Sequence, residues 1–159
     1  GVGAFPDAMK KLTNTGLVPV IRQQAQKKPL LGICLGMQLL FEKGFEFEET
    51  QGLGLMEGSV KKIDAGNLKI PHMGWNDLTV QNPCALAADT KNGDFVYFVH
   101  SYRADTPKEN ISCYTVYQER IPALVHRGLV YGAQFHPEKS GSVGLAMLKN
   151  FAELAGGQR

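Results

Sequence analysis

Three cysteines, one tryptophan and no apolar run of membrane-spanning length already remove several kinds of protein from consideration. Cys34, Cys84 and Cys113 are odd in number and follow no paired spacing. They do not suggest a disulfide framework, and a reducing compartment with one candidate nucleophile fits instead. Their spacing relative to the histidines does not suit a structural zinc site, so neither a metal nor a cofactor is expected. A bilayer span needs about 20 consecutive apolar residues, which the chain nowhere offers. No basic-then-apolar leader opens it, so a soluble cytoplasmic protein is the expectation, with no membrane partner. An excess of one charge is also lacking. Seventeen basic side chains against fifteen acidic ones leave +2, scattered rather than striped, which argues against a nucleic-acid surface. Repeats, low-complexity tracts and linkers are absent. A chain of 159 residues that is 43% hydrophobic is large enough for one real core and too small for two, so residues 1–159 are read as one domain.

An initiator methionine is missing too. The chain opens Gly1-Val2-Gly3-Ala4-Phe5, a Gly-x-Gly turn with no strand before it. Such glycines normally follow a strand, because they let the backbone bend where a side chain would clash. An N-terminally incomplete chain is the expectation, and a flexible tail is the alternative.

What the sequence does contain begins with helices. Ala8, Met9 and Leu12 have helical spacing with a stop at Gly16, and Val18 to Gln26 reads as a second short helix ended by Pro29. Leu30 to Cys34 is then a short, wholly apolar run, the pattern of a buried parallel strand. Leu35 to Phe41 switches to helical periodicity. The segment is strand, abrupt turn, helix, with Cys34 at the turn. Beyond Gly52 the texture turns to strands. Leu53 to Ile63 is apolar and broken by glycines, and 68–80 is too irregular for a plain strand. Phe95 to His100 and Ile111 to Val116 are β-rich. Ala123 to His126 and Leu129 to Phe135 look like a hairpin around Arg127-Gly128, and a last helix covers about Val143 to Leu154. The sum is an α/β domain whose sheet carries antiparallel additions.

The chemistry-bearing stretch is Gly32-Ile33-Cys34-Leu35-Gly36. Small residues on either side of a nucleophile permit a strained strand-to-helix turn that exposes the central side chain. A helix N-terminus adds partial positive charge and free N–H groups, which lower a thiol pKa and can bind an oxyanion. The N–H of Leu35 is the natural donor. Taken alone, the motif equally suits a buried structural cysteine. A thiol also needs a base. Of His72, His100, His126 and His136, only His136 has suitable surroundings. It closes an apolar strand in Gln134-Phe135-His136-Pro137-Glu138, where α/β sheets place active-site groups. Pro137 stops the ladder, and Glu138 can bend back to accept the other imidazole N–H and fix the tautomer.

These two stretches, Gly32 to Gln38 and Gln134 to Glu138, resemble the signatures of class I, triad-type glutamine amidotransferases. Gly1 to Phe5 resembles the family's oxyanion strand without the proline that usually precedes it. Pro71 to Asn76, Phe98 to Arg103 and Lys139-Ser140 resemble one branch, the glutaminase subunits of imidazole glycerol phosphate synthases. The resemblance runs over essentially the whole chain. It implies a flavodoxin-like three-layer α/β fold, a mixed sheet flanked by helices, with the first strands missing ahead of Gly1. It further implies that Cys34 attacks the side-chain amide of L-glutamine, that His136 shuttles the proton and that Glu138 orients His136. Backbone N–H groups at Leu35 and at Val2-Gly3 would hold the oxyanion, a donor of that kind contributing about 3–4 kcal/mol. Glutamine would lie against Gly3, Gln38, Ser101 and Tyr102. Ammonia would pass to a cyclase subunit in a heterodimer, yielding imidazole glycerol phosphate and an aminoimidazole carboxamide ribotide in histidine biosynthesis. Pro71, Met73, Trp75, Tyr97 and Lys139 would serve the interface or the ammonia passage.

Plainer readings stand beside these. His72 and His100 suit satisfied core or interface histidines, and His126 a solvated hairpin residue. Cys84 and Cys113 suit structural cysteines, and Trp75 is either core or interface. Lys43, Lys61 and Lys62 are read as solvated surface. Two other functions stay open: a glutaminase subunit for anthranilate or aminodeoxychorismate synthesis, and an inactive fragment that only binds a partner.

Overall fold

The computed structural model describes residues 3–156. The first helix, α1 (Phe5–Asn14), begins with Pro6, whose missing N–H is harmless in a first turn, and Asp7, which complements the helix dipole there. It buries Phe5 and Met9. A left-handed Gly16 then leads into α2 (Leu17–Gln24), which stops two residues short of the expected Gln26.

The apolar run after Pro29 forms β1 (Leu30–Ile33), and a four-residue helix, α3 (Leu35–Gln38), follows Cys34 directly. Periodicity alone predicts that this helix continues to Phe41, but it does not. Leu39 and Leu40 turn their carbonyls to the N–H groups of Leu53, Leu55 and Met56. Those long-range bonds outcompete the helical ones and draw the chain into β2 (Phe41–Gly44). Short strands β3 (Thr50–Gln51) and β4 (Met56–Lys62) come next, then β5 (His72–Asp77) and β6 (Thr79–Val80) from the irregular stretch. The later strands are β7 (Phe95–His100), β8 (Tyr102–Asp105), β9 (Ile111–Tyr117), β10 (Glu119–Arg127) and β11 (Val130–Ala133). The closing helix is α4 (Gly141–Gly156).

The strands divide among sheets of five, four and two strands rather than forming one mixed sheet. The largest runs β1-β11-β10-β9-β6, with β1 parallel to β11 and the other pairs antiparallel. β10 begins earlier than the hairpin pattern suggests and holds Pro122 inside the sheet. The register shifts between Pro122 and Leu124, a bulge at the point where a proline cannot donate to the ladder. A second sheet runs β3-β2-β4-β8, and β5 pairs with β7 alone.

The five-stranded sheet lies between two apolar cores, which gives the expected layered α/β arrangement. Val125 and Val130 face the core shared with α1 and α3, whereas Leu124, Tyr131 and Ala133 face the one shared with α4. Close approach of α3 to the sheet requires two glycines directly opposite each other, Gly32 and Gly132. A Cβ on Gly32 would sit 2.5 Å from the Gly36 carbonyl oxygen, and one on Gly132 would sit 2.6 Å from Met37 Cγ. This tight packing places the end of β1 and the start of α3, and hence Cys34, at the carboxyl end of the parallel pair.

The side chains set apart as structural behave so. Cys113 is wholly buried, and burial pushes its thiol up to about 12, with Cys84 and Asp94 adding to the shift. His72 is buried between the rings of Phe98 and Tyr117. His126 is less solvated than expected. It stacks on Tyr131 with ring centroids 4.6 Å apart, and its Nε2 lies 3.0 Å from the Gly128 carbonyl oxygen.

Candidate active site

A cavity of about 230 Å³ opens where β1, α3, β7 and the segment after β11 meet. It is lined by Gly3, Cys34, Leu35, Gln38, Glu46, Val99, His100, Ser101, Tyr102 and His136. Residues more than a hundred positions apart thus share one small space. Among the described residues expected to contact substrate, Gly3, Gln38, Ser101 and Tyr102 all line it. Val2 lies outside the described residues.

Cys34 is held in backbone strain. Its φ of 54° and ψ of −109° lie outside the regions that a side chain readily adopts. The N–H of Cys34 donates to Ala133 O at 2.7 Å, tying the turn to β11. Only 8% of the residue is exposed. Burial raises the thiol above its ordinary value, while the Leu35 backbone N–H, bonded to the sulfur, pulls the other way and the Glu138 charge adds to the rise. The S–H points to Val99 O at 3.8 Å. The resting sulfur is accordingly a thiol, and a base must take its proton.

His136, which lines the same cavity, is the candidate for that base. Its Nδ1 donates to Glu138 Oε2 at 3.0 Å. A carboxylate can only accept, so the ring proton sits on Nδ1 and Nε2 carries the lone pair. Nε2 is buried and has no hydrogen-bond partner among the described residues. Buried polar atoms almost always have one, so this atom awaits a group that enters or moves in the cavity. Ser140 Oγ donates to His136 O at 2.6 Å and accepts from Tyr97 N–H at 3.0 Å, and the His136 N–H donates to Tyr97 O. The histidine backbone is therefore fixed to β7. Glu138 itself is half exposed.

Tyr102 O is a second organising point. It accepts from Gln38 Nε2 at 3.1 Å and from His100 Nδ1 at 2.8 Å. His100 Nε2 then accepts from His72 Nδ1 at 2.9 Å, and His72 Nε2 lies 3.0 Å from Asn76 Oδ1. Burial pushes His100 down to about 4, against the bond to Tyr102, so it is neutral at ordinary pH. It shapes the cavity without acting as its base. Arg103, next in sequence, turns away from the cavity and forms a bidentate pair with Glu119, at 3.1 Å and 2.8 Å.

The residues expected at an interface group together differently. Pro71, Met73 and Trp75 are exposed on or beside β5, and Tyr97 packs edge-on to Trp75 with centroids 6.0 Å apart. Trp75, 53% exposed, is not core. Lys139 is exposed beyond His136. The same two strands that show Met73 and Trp75 to solvent carry Val99, whose carbonyl takes the Cys34 S–H; Met73 and Val99 are direct partners.

Sequence reasoning missed Glu46 and gave Gln134 no role. Glu46 lines the cavity while one oxygen accepts the Phe5 N–H at 2.9 Å. Nothing local marks it among Glu42, Glu46, Glu48 and Glu49. Gln134 was visible in the motif, but its contact with Cys34 spans 100 positions.

The comparisons with known proteins agree with this geometry. The family model for glutamine amidotransferase class-I matches residues 6–154. Imidazole glycerol phosphate synthase subunit HisH of Streptococcus sanguinis is 56% identical over 96% of this chain and 74% of its own length. The HisH of Bacillus cereus is 51% identical over 95% of this chain and 72% of its own. Among solved structures, one described as glutamine amidotransferase superposes with a TM-score of 0.70 at 22% identity, covering 97% of this chain and 76% of that one. A glutamine amidotransferase from Thermotoga maritima does so at 0.63 and 17% identity, covering 99% and 62%. These two show the fold alone. With a strained cysteine, a tautomer-fixed histidine and such matches along nearly its whole length, the chain belongs to the class-I glutamine amidotransferase family and, within it, to the HisH group.

Proposed function

We propose that the chain hydrolyses L-glutamine to glutamate and ammonia and delivers the ammonia to a cyclase subunit, the two forming imidazole glycerol phosphate synthase. The observation that carries this reading is His136 Nε2, a buried nitrogen without a partner among the described residues, in the cavity that holds Cys34. His136 takes the Cys34 proton, and the sulfur attacks the δ-carbon of glutamine. The oxyanion then meets the Leu35 N–H, with a further backbone donor from the segment at Gly3, which lines the cavity. His136, now charged beside Glu138, returns the proton to the leaving nitrogen, ammonia departs, and water hydrolyses the thioester. Glu46 faces the α-ammonium of glutamine with the carboxylate oxygen that the Phe5 N–H does not use. Gln38, Ser101 and Tyr102 hold the rest of the amino-acid end.

The exposed Met73 and Trp75, with Pro71, Tyr97 and Lys139, form the face on which the cyclase docks and along which ammonia leaves. Aromatic and methionine side chains in such a patch suit a protein interface. A cytoplasmic location goes with this reading, since all three cysteines are free. No described helix is long and apolar enough to cross a membrane.

Glutamate formation by the chain mixed with a HisH-type cyclase partner tests the reading. Turnover is expected, and a Glu46→Gln chain should show a KM for glutamine about tenfold higher with kcat little changed. Absence of glutamate in the assembled mixture contradicts the function. An unchanged KM in the variant contradicts the role of Glu46.

A further inference from the structure

Resting on Cys34 as nucleophile, we propose that Gln134 is a positioning residue that presents an N–H to the Cys34 sulfur and stabilises the thiolate, with its orientation dictated by the Tyr102 carbonyl through Gln38. Polarity along the chain of contacts leaves one arrangement. Tyr102 O can only accept, so the atom of Gln38 beside it at 3.1 Å must be the amide nitrogen. That same nitrogen lies 3.1 Å from Gln134, so the Gln134 atom facing it must be Oε1. Gln134 Nε2 is then the atom left to face the sulfur, at 3.9 Å. Gln134 is wholly buried, so water cannot reverse the amide or take its place.

The sulfur is thus poised between two sets of groups. Val99 O accepts the S–H and favours the thiol. The Leu35 N–H and the Gln134 N–H donate, and favour the thiolate that forms when the proton passes to His136 Nε2. A donor to a charged group contributes more than one to a neutral group, so the Gln134 contact strengthens as the proton leaves. Its role is legible only in three dimensions, because the amides involved sit at positions 38 and 134 and the carbonyl at position 102.

The test is the pH dependence of Cys34 alkylation by iodoacetamide, followed by mass spectrometry on the peptide that contains Cys34. Gln134→Met keeps length and removes the donor, so the midpoint should rise by about one pH unit, with roughly tenfold slower alkylation near neutrality. Gln134→Glu keeps shape and exchanges the donor for an acceptor or charge, and should shift the midpoint upward at least as far. Gln38→Met frees the Gln134 amide to turn over and should give a smaller rise of the same sign. If Gln134→Met does not fold, the other two variants decide. Midpoints equal to that of the unaltered chain overturn the proposal. The measurement reads the thiol itself. A flat result therefore counts against Gln134, whereas hydrolysis that survives loss of Cys34 counts against the catalytic reading on which the proposal rests.

Discussion

Replacing Cys34 by alanine is expected to lower glutamine hydrolysis by about 10⁵-fold or more in the complex with the cyclase, down to the residual rate that binding and the oxyanion site alone provide. The size of the effect follows from how little else in the cavity can attack a carbonyl. Cys84 and Cys113 belong to the other core, around Leu78, Phe98 and α4, and burial leaves Cys113 inert. Ser101 lines the cavity, but His136 is the ring with an unclaimed basic nitrogen there, and His100 spends both nitrogens on Tyr102 O and His72. Alanine also relieves little strain and leaves the turn intact, since the bond from residue 34 N–H to Ala133 O does not involve the side chain. The variant should therefore fold, bind glutamine and dock the cyclase. A loss confined to kcat separates it from a folding defect, and turnover within a few fold of the unaltered chain contradicts the assignment.

The second large effect concerns stability and splits two glycines that look equivalent in the motif. Gly32→Ala drives a Cβ to 2.5 Å from Gly36 O, 2.6 Å from Gly36 C and 2.8 Å from Met37 N. All three are backbone atoms of the turn and α3, which cannot swing aside as a side chain can. To fit the methyl, α3 must lift from β1 and β11, loosening Met37 and Leu40 from the core. A cost of about 3 kcal/mol is expected, or roughly 6–12 °C in melting temperature for a chain of this size. Gly36→Ala, by contrast, meets nothing within 4 Å. It replaces a helical glycine by the best helix former, which is neutral or stabilising by about 0.5–1 kcal/mol. Thermal melts of the two variants side by side check this. Equal melting temperatures would contradict the packing account.

That contrast shows how much the sequence could reveal. Gly32 to Gly36 announces a sharp turn around a nucleophile, because strand and helix patterns abut there and the glycines flag strain. Which glycine is sterically required depends on how closely α3 approaches the sheet, and no local pattern records that distance. The same limit explains α3 itself, which ends at Gln38 because partners from 53–56 capture the carbonyls of Leu39 and Leu40. His136 and Glu138 are two positions apart, so their contact is a local property and readable. Glu46, Gln134 and the shared acceptor Tyr102 O are tertiary facts. Each residue type is ordinary in its own neighbourhood and becomes informative only once the cavity is assembled. The hairpin turn at Arg127-Gly128 is legible because a glycine between two β-rich runs marks a turn, and Gly128 there adopts φ of 59°. The distribution of strands over three sheets was not, since pairing partners such as β4 and β8 lie some forty positions apart.

The central claim is that Cys34 forms a covalent γ-glutamyl thioester while His136, oriented by Glu138, moves the proton. Rapid acid quench of the complex during glutamine turnover, followed by peptide mass mapping, tests it most directly. The account predicts a glutamyl adduct on the peptide that contains Cys34, formed and lost at rates compatible with turnover and absent from the peptides of Cys84 and Cys113. Sustained hydrolysis with the adduct on another residue, or with unmodified Cys34 under conditions that trap thioesters, would contradict it.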